Sequence, residues 1–364
     1  MKILIQLGHP AHFHLYKNVI INLKAKNHTV FVLIKKKDIL EDLLINAGIS
    51  YINILPNGRK DTKLGIINGI FKRFFKILLF TIKNNVDLLT GSSTEVAQVG
   101  KLTKKFSIIT GEDDAEVVPN FIKLAAPFVD GYLSPIVCNN GKLDEITIKY
   151  HSYHELAYLH PNHFLANKSV VEKYFSSTKP YFILRFAKLN AHHDVGIQGI
   201  NTEIAQKLID ILKPHGDIYI TSERELEPQF EPYRIKINPL DMHHVMAFAQ
   251  LYIGDSQTMA AEAGVLGVPF VRFNDFVGRI GYLRELEDVY QLGYGIKTNE
   301  VEKLYRVVEE LINMPDRKEI FSLRRHKMLS EKIDYAQFLT WFIENYPESA
   351  KIMRENPDYQ YKFR

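Results

Sequence analysis

The 364-residue chain has a single cysteine, Cys138, and a single tryptophan. One cysteine excludes an intramolecular disulfide framework and cannot by itself build a structural zinc site, so a reducing, cytoplasmic setting is expected. Long apolar runs are also missing. The longest one near the helix-like stretch after Gly65 is Ile77-Leu78-Leu79-Phe80, closed by Thr81, far short of the ~18 residues a membrane span needs. Met1 runs straight into the strand-like Lys2-Ile3-Leu4-Ile5 with no basic leader and no small-residue cleavage pattern, so no secretory signal is expected. Strong charge of one sign is absent too: 46 Lys+Arg against 42 Asp+Glu leave a net charge of +4. The clusters Lys35-Lys36-Lys37, Lys72-Arg73 and Lys104-Lys105 lack interleaved aromatics and any DNA-reading motif. Nucleic acid is therefore not an expected partner, and anionic small molecules or lipid headgroups are better ones. There is no tandem repeat and no low-complexity tract.

What is present is enough apolar material, 46% of residues, for two cores of ordinary size. Short apolar runs at 3–7, 29–34, 51–55, 86–90, 106–109 and 131–133 read as strands, and helix-like stretches separate them, as at 15–26 and 38–47. Such runs do not alternate polar with apolar residues, because a parallel sheet covered by helices on both faces buries both sides of each strand. The rhythm breaks between 152 and 180, around Pro161, Pro180 and Ser176-Ser177-Thr178. It then resumes with strands at 181–186, 217–221, 234–237, 251–253 and 270–273. The expected fold is α/β, with two doubly wound Rossmann-like domains facing a cleft. Their bounds are placed at 1–165 and 166–330, followed by a C-terminal helix and polar tail at 331–364.

In open parallel sheets ligands bind beyond the carboxyl ends of the strands. The residues after each strand are therefore the candidates. Ile253-Gly254-Asp255-Ser256-Gln257-Thr258 runs from a strand into a helix whose first-turn amides suit a pyrophosphate, with Asp255 or Ser256 as the cap. Glu262, two turns in, is placed for a ribose diol, although an ordinary capped helix with a solvated glutamate fits the same spacing.

The pattern Asp255-Ser256, Glu262-Ala263, Leu266-Gly267 and Pro269 resembles the nucleotide-binding motif of the glycosyltransferase-B superfamily, especially UDP-N-acetylglucosamine 2-epimerases and their glycosyltransferase relatives. The resemblance implies that Ser256, Gln257 and Thr258 hold the diphosphate and Glu262 the ribose. Those epimerases carry a Gly-Gly pair where this chain has Gln257-Thr258. Three further segments, the loop from Gly8 to His14, Glu155 to Pro161, and Asn190-Ala191-His192-His193-Asp194, are similar to a domain-of-unknown-function family placed in that superfamily.

The loop after the first strand carries His9, His12 and His14, which can serve as acid or base or donate to a phosphate. His12-x-His14 is also how a metal-dependent barrel enzyme begins, but the rest of the chain reads as two open sheets, so no metal is expected. Glu112, Asp113 and Asp114 follow the strand at 106–109. Glu112 matches one acid of the epimerases, while Ser92 stands where their other acid would be. Asp113 or Asp114 can substitute, or a single base can suffice, as in an inverting glycosyl transfer. A solvated cap cluster is the plain alternative for Asp114.

Arg185 ends the first strand of the second half, with Lys188, His192 and His193 in the loop beyond, a set suited to a diphosphate leaving group. His243 starts a helix that can border the nucleotide base. Tyr153, His154 and Glu155 are placed as hinge contacts. The expected function is a nucleotide-sugar-dependent glycosyltransferase of surface polysaccharide or glycolipid biosynthesis. A UDP-sugar 2-epimerase and a catalytically inactive nucleotide-sugar-binding protein are the alternatives. No cofactor is expected beyond the sugar nucleotide. Expected partners are that substrate, a polyprenyl-linked or glycolipid acceptor, and a second copy of the chain.

Residues 65–83 are expected to be a helix that touches the membrane, with an ordinary helix of the domain carrying one exposed phenylalanine as the alternative. At 100° per residue Lys72, Arg73, Lys76 and Lys83 gather on one face with Phe80 among them. Phe71, Phe74, Phe75, Leu78 and Ile82 belong to the stripe that should pack on the sheet.

Overall fold

Residues 1–58, 62–175, 179–187 and 199–364 are described by the computed structural model. Among them every strand pairing is parallel, as continuous apolar strands require. The chain divides into two units: Met1–His163 with Lys332–Arg364, and Phe164–Glu331.

The first unit alternates β1 (Lys2–Leu7), α1 (Pro10–Ala25), β2 (Thr29–Lys35), α2 (Leu40–Asn46), β3 (Ile52–Leu55), α3 (Lys63–Asn84), β4 (Leu88–Gly91), α4 (Thr94–Thr103), β5 (Phe106–Thr110), α5 (Pro119–Ala125), β6 (Gly131–Pro135) and β7 (Thr147–Tyr150). Its sheet runs β3-β2-β1-β4-β5-β6-β7. All six expected strands appear, and β7 is added at the edge. Ile3, Leu4, Ile5 and Leu7 are buried in the middle of the sheet; full burial of each such side chain contributes about 1.5–3 kcal/mol. The strand order reverses between β1 and β4. The crossovers leave in opposite directions there, which opens a crevice at the carboxyl ends of these two strands.

The second unit contains α6 (Lys168–Val171), β8 (Tyr181–Phe186), α7 (Thr202–Leu212), β9 (Asp217–Ser222), α8 (Met242–Ala247), β10 (Leu251–Gly254), α9 (Gln257–Val265), β11 (Phe270–Phe273), α10 (Gly281–Arg284), β12 (Gly293–Ile296), α11 (Val301–Asn313) and α12 (Arg317–Glu331). Its sheet runs β12-β11-β10-β8-β9, so the reversal falls between β8 and β10. The strand expected at 234–237 is only an isolated bridge, Ile220 to Arg234. The 3-10 turn Pro228–Tyr233 before it contains Pro232, and another such turn begins at Pro239. Proline fixes the backbone and supplies no amide for a ladder.

The domain bounds expected from sequence need correction. The break falls after His163, and residues 332–364 are part of the first unit, not a separate helix and tail. There α13 (Tyr335–Glu344) and α14 (Glu348–Glu355) carry the chain to its end. α13 buries Phe338, Leu339, Phe342 and Ile343 completely. Ser152 Oγ donates to the carbonyl of Ile333 (2.6 Å), and His163 Nε2 meets buried Asp334 (2.8 Å). A charged, tyrosine-rich composition hid an apolar helix face of the first core.

Candidate functional site

At the carboxyl edge of the first sheet, the turn between β1 and α1 is closed by histidines. His9 caps α1 by accepting the Ala11 amide at Nδ1 (3.2 Å), and His12 Nδ1 accepts the amide of Gly8 (3.2 Å). With Nδ1 an acceptor, neutral His12 carries its proton on Nε2. Burial, with the charges of His9, His154 and Lys35, pushes the His12 pKa down to about 3. His12 is therefore a hydrogen-bond donor at neutral pH, not a base, since its Nδ1 lone pair is used within the turn. His14 packs its ring against Tyr158, with centroids 5.2 Å apart. The two histidines thus have different neighbours.

Ser92 follows β4 and donates its hydroxyl to the carbonyl of Thr110 (3.2 Å). Gly91 before it has φ 151°, and a Cβ there would stand 2.5 Å from the Gln6 carbonyl oxygen. A glycine is thus required to bring β4 against β1 at the crevice.

Glu112 follows β5. Its carboxylate accepts the backbone amide of His154 (3.2 Å) and lies 3.2 Å from His154 Nδ1. Burial, then the neighbouring charge of Asp113, holds the Glu112 carboxyl well above the usual carboxylate range. Burial likewise pushes the His154 pKa down to about 3, against the opposing pull of Asp113. Burial thus drives both partners of this pair, a carboxyl and an imidazole, toward their neutral forms. The other face of the pair is built by the returning C-terminal chain. His154 Nε2 meets Thr110 Oγ1 (2.9 Å), Tyr335 from α13 meets the same hydroxyl (2.6 Å), and its ring stacks on His154 with centroids 5.6 Å apart. His154 is thus a partner of Glu112 and not a hinge contact. Asp114 is engaged elsewhere, accepting the amide of Asn139 (2.9 Å).

At the carboxyl edge of the second sheet, Ser256 is the cap of α9, its hydroxyl facing the Met259 amide at 3.5 Å. Gln257 and Thr258 are half-buried in the first turn, where unpaired amides favour an anion. Asp255 does not join them. One of its oxygens accepts the amide of Ala187 (2.6 Å) and the other that of Ile200 (3.3 Å), so it fastens both ends of a loop. Burial, opposed by those two amides, pushes its pKa up to about 6. Both Asp255 oxygens are therefore engaged with the backbone on either side of that loop. Within that loop, residues 188–198, His192 and His193 lie outside the described residues.

Glu262 and His243, 19 positions apart, meet at 2.9 Å and are both buried. His243 was expected to border a nucleotide base; it supports Glu262 instead. Arg185 is hydrogen-bonded to Glu223, so its charge is already partnered. Gly254 lets it come that close, since a Cβ on Gly254 would lie 2.8 Å from Arg185 Cβ. Arg224, which sequence reasoning passed over, donates to the carbonyl of Ile200 (2.6 Å) and lies over the Phe186 ring (5.2 Å). It puts a second cation beside Phe186 and Ile200. Fully buried Arg272 pairs with Glu287 (2.8 Å) and Asn274 (3.3 Å), and Asn274 donates to the Asp255 carbonyl (2.9 Å). That network locks the ends of β10 and β11 together.

Two parallel sheets, each with its own point of strand reversal, make an α/β fold of two Rossmann-like domains, the glycosyltransferase-B type of fold. Solved structures agree. The Neisseria meningitidis UDP-GlcNAc 2-epimerase bound to UDP-GlcNAc is 15% identical, covering 98% of this chain and 99% of its own, with a TM-score of 0.63. The S. aureus MnaA–UDP structure is 12% identical over 100% of this chain and 98% of its own, with a TM-score of 0.63. The spinosyn rhamnosyltransferase SpnG with spinosyn aglycone is 13% identical over 95% of this chain and 100% of its own, with a TM-score of 0.61. At such identities the likeness shows the fold. The sequence matches no family model and no curated protein.

Proposed function

We propose that the protein is a nucleotide-sugar-dependent glycosyltransferase acting on a lipid-linked or saccharide acceptor of surface polysaccharide or glycolipid synthesis. The observation that carries this reading is the acid that follows β5 at the carboxyl edge of the first sheet. Glu112 is paired with His154, and the position where an epimerase-like site would need a second acid holds Ser92, whose hydroxyl is engaged with Thr110. An epimerase that removes and returns a proton on opposite faces of a sugar calls for two such groups. An inverting transfer needs one base.

In this mechanism Glu112, ionised above its raised pKa, takes the proton of the acceptor hydroxyl as that oxygen attacks the anomeric carbon. The bond from that carbon to the diphosphate breaks, and the nucleoside diphosphate leaves with the bonding pair. His154 holds the carboxyl in place and shares its proton. In the second unit the first-turn amides of α9 receive the diphosphate, with Glu262, braced by His243, on the ribose. Arg224 supplies positive charge for the leaving group. The solved relatives described with UDP-GlcNAc, UDP and an aglycone support a sugar nucleotide as the donor.

The test is product analysis with a panel of UDP-sugars. Release of UDP only when a lipid-linked or saccharide acceptor is added is the expected result. Formation of a C2 epimer from the UDP-sugar alone would establish the epimerase instead, and binding with no turnover on any pairing would reduce the protein to a nucleotide-sugar binder.

A further inference from the structure

The helix α3 is capped at Thr62, whose hydroxyl accepts the Gly65 amide (3.1 Å), and ends at Asn85 in a left-handed conformation with φ 49°. Its inner side is settled by packing. Ile77 and Thr81 are buried, and Phe74, Leu78 and Phe80 pack on the core. Phe80 meets Phe31 edge to face at 5.2 Å, and Arg73 is buried against Glu95, its Nε 2.8 Å from Oε1. This corrects the expected phase of the helix: neither Phe80 nor Arg73 belongs to an outer face.

The outer face carries a different set. Phe71, Phe75, Leu79 and Ile82 are 58%, 55%, 65% and 63% exposed. Their spacing of four, four and three places them in one row. At 100° per residue exposed Lys72, Lys76 and Lys83 form a second row along one flank of the first, and α3 contains no Asp or Glu. Scattered apolar residues are ordinary on a surface, but four large side chains in line beside a file of lysines are not.

We infer that this face of α3 docks on an anionic lipid surface. The aromatic and aliphatic row enters the boundary between headgroups and acyl chains, and the lysine stems extend beside it to bring their ammonium groups to the phosphates. Charge favours lipid over a second copy of the chain, because a two-fold pairing of α3 faces would set lysines against lysines with no acid between them. Among the described residues no helix is long and apolar enough to cross a membrane, so the contact is peripheral. The inference is independent of the nucleotide site, and it would bring the first unit to an acceptor held in a membrane.

The experiment is co-sedimentation of the full chain with phosphatidylcholine vesicles, with and without about a quarter phosphatidylglycerol. Binding should require the anionic lipid and disappear near 1 M salt, where charges are screened within ~3 Å. Lys72→Gln with Lys76→Gln should weaken binding about 25-fold, at about fivefold per lysine. Phe75→Ser with Leu79→Ser should weaken it by about tenfold or more. Both double variants replace exposed residues and should melt like the parent, and UDP titration of the same samples reads the nucleotide site separately. Wild type left in the supernatant with anionic vesicles at low salt would overturn the inference. So would full binding by both variants, or a dimer in ultracentrifugation that Phe75→Ser with Leu79→Ser disperses in a chain that ignores vesicles.

Discussion

The carboxyl edges of the two sheets are built from the same parts and use charge in opposite ways. The first keeps His12, His154 and Glu112 desolvated, with both histidines held neutral and the glutamate carboxyl raised toward its neutral form. The second keeps charged groups partnered, as in Arg185 with Glu223 and Arg272 with Glu287. A site that must move a proton benefits from groups poised near neutrality, whereas a site that must hold an anion benefits from fixed donors and cations. The contrast teaches that one fold, repeated, can give its two sheet edges different electrostatic characters.

The sharpest break of this comparison is Glu112→Gln. It should lower turnover by about 10²- to 10⁴-fold, the usual range for loss of a general base, while nucleotide affinity in calorimetry stays as it was. Equal losses in both would put Glu112 in binding and erase the distinction. Next in size, Glu95→Ala should destabilise the first unit by about 3–5 kcal/mol by stranding buried Arg73. A denaturant melt showing no change would mean the Arg73 charge finds water. Glu262→Ala should then cost about 1.5–3 kcal/mol in UDP binding, as for a hydrogen bond to a charged group, with turnover at saturating substrate little altered.

The remaining effects are in pH dependence, and their signs differ. The His12 and His154 pKa values are lowered to about 3, so their contribution is fully present above their ordinary 6.5 and is lost as pH falls toward 3. His154→Gln should flatten that acid loss. Asp255 is raised to about 6, so its contribution is present below 3.8 and is lost as pH rises through 6. Asp255→Asn should flatten the change on that side instead. Melting temperatures across pH 3.5 to 7 check both, and the same slope in either variant as in wild type would remove the corresponding assignment.

Much of the fold was legible because periodicity reports burial. Continuous apolar strands and intervening helices placed eleven expected strands, ten of which exist. Those missed were short edge strands such as β12, Gly293–Ile296, whose glycines and tyrosine carry little apolar signal. The α9 loop was legible because a cap and a following helix are local features. Pairings between distant segments were not. Nothing near His154 announces Glu112, and nothing near Tyr335 announces Thr110. The phase of α3 was misread because hydrophobicity alone sent Phe71, Phe75 and Ile82 inward, whereas the Arg73–Glu95 ion pair turns the opposite arc to the core.

The most direct measurement of the central claim is calorimetric titration of the wild-type chain and Glu262→Ala with UDP. Saturable binding at one site per chain, weakened by roughly ten- to a hundredfold in the variant, is the result the account predicts. No binding of UDP, or equal binding by both proteins, would contradict it.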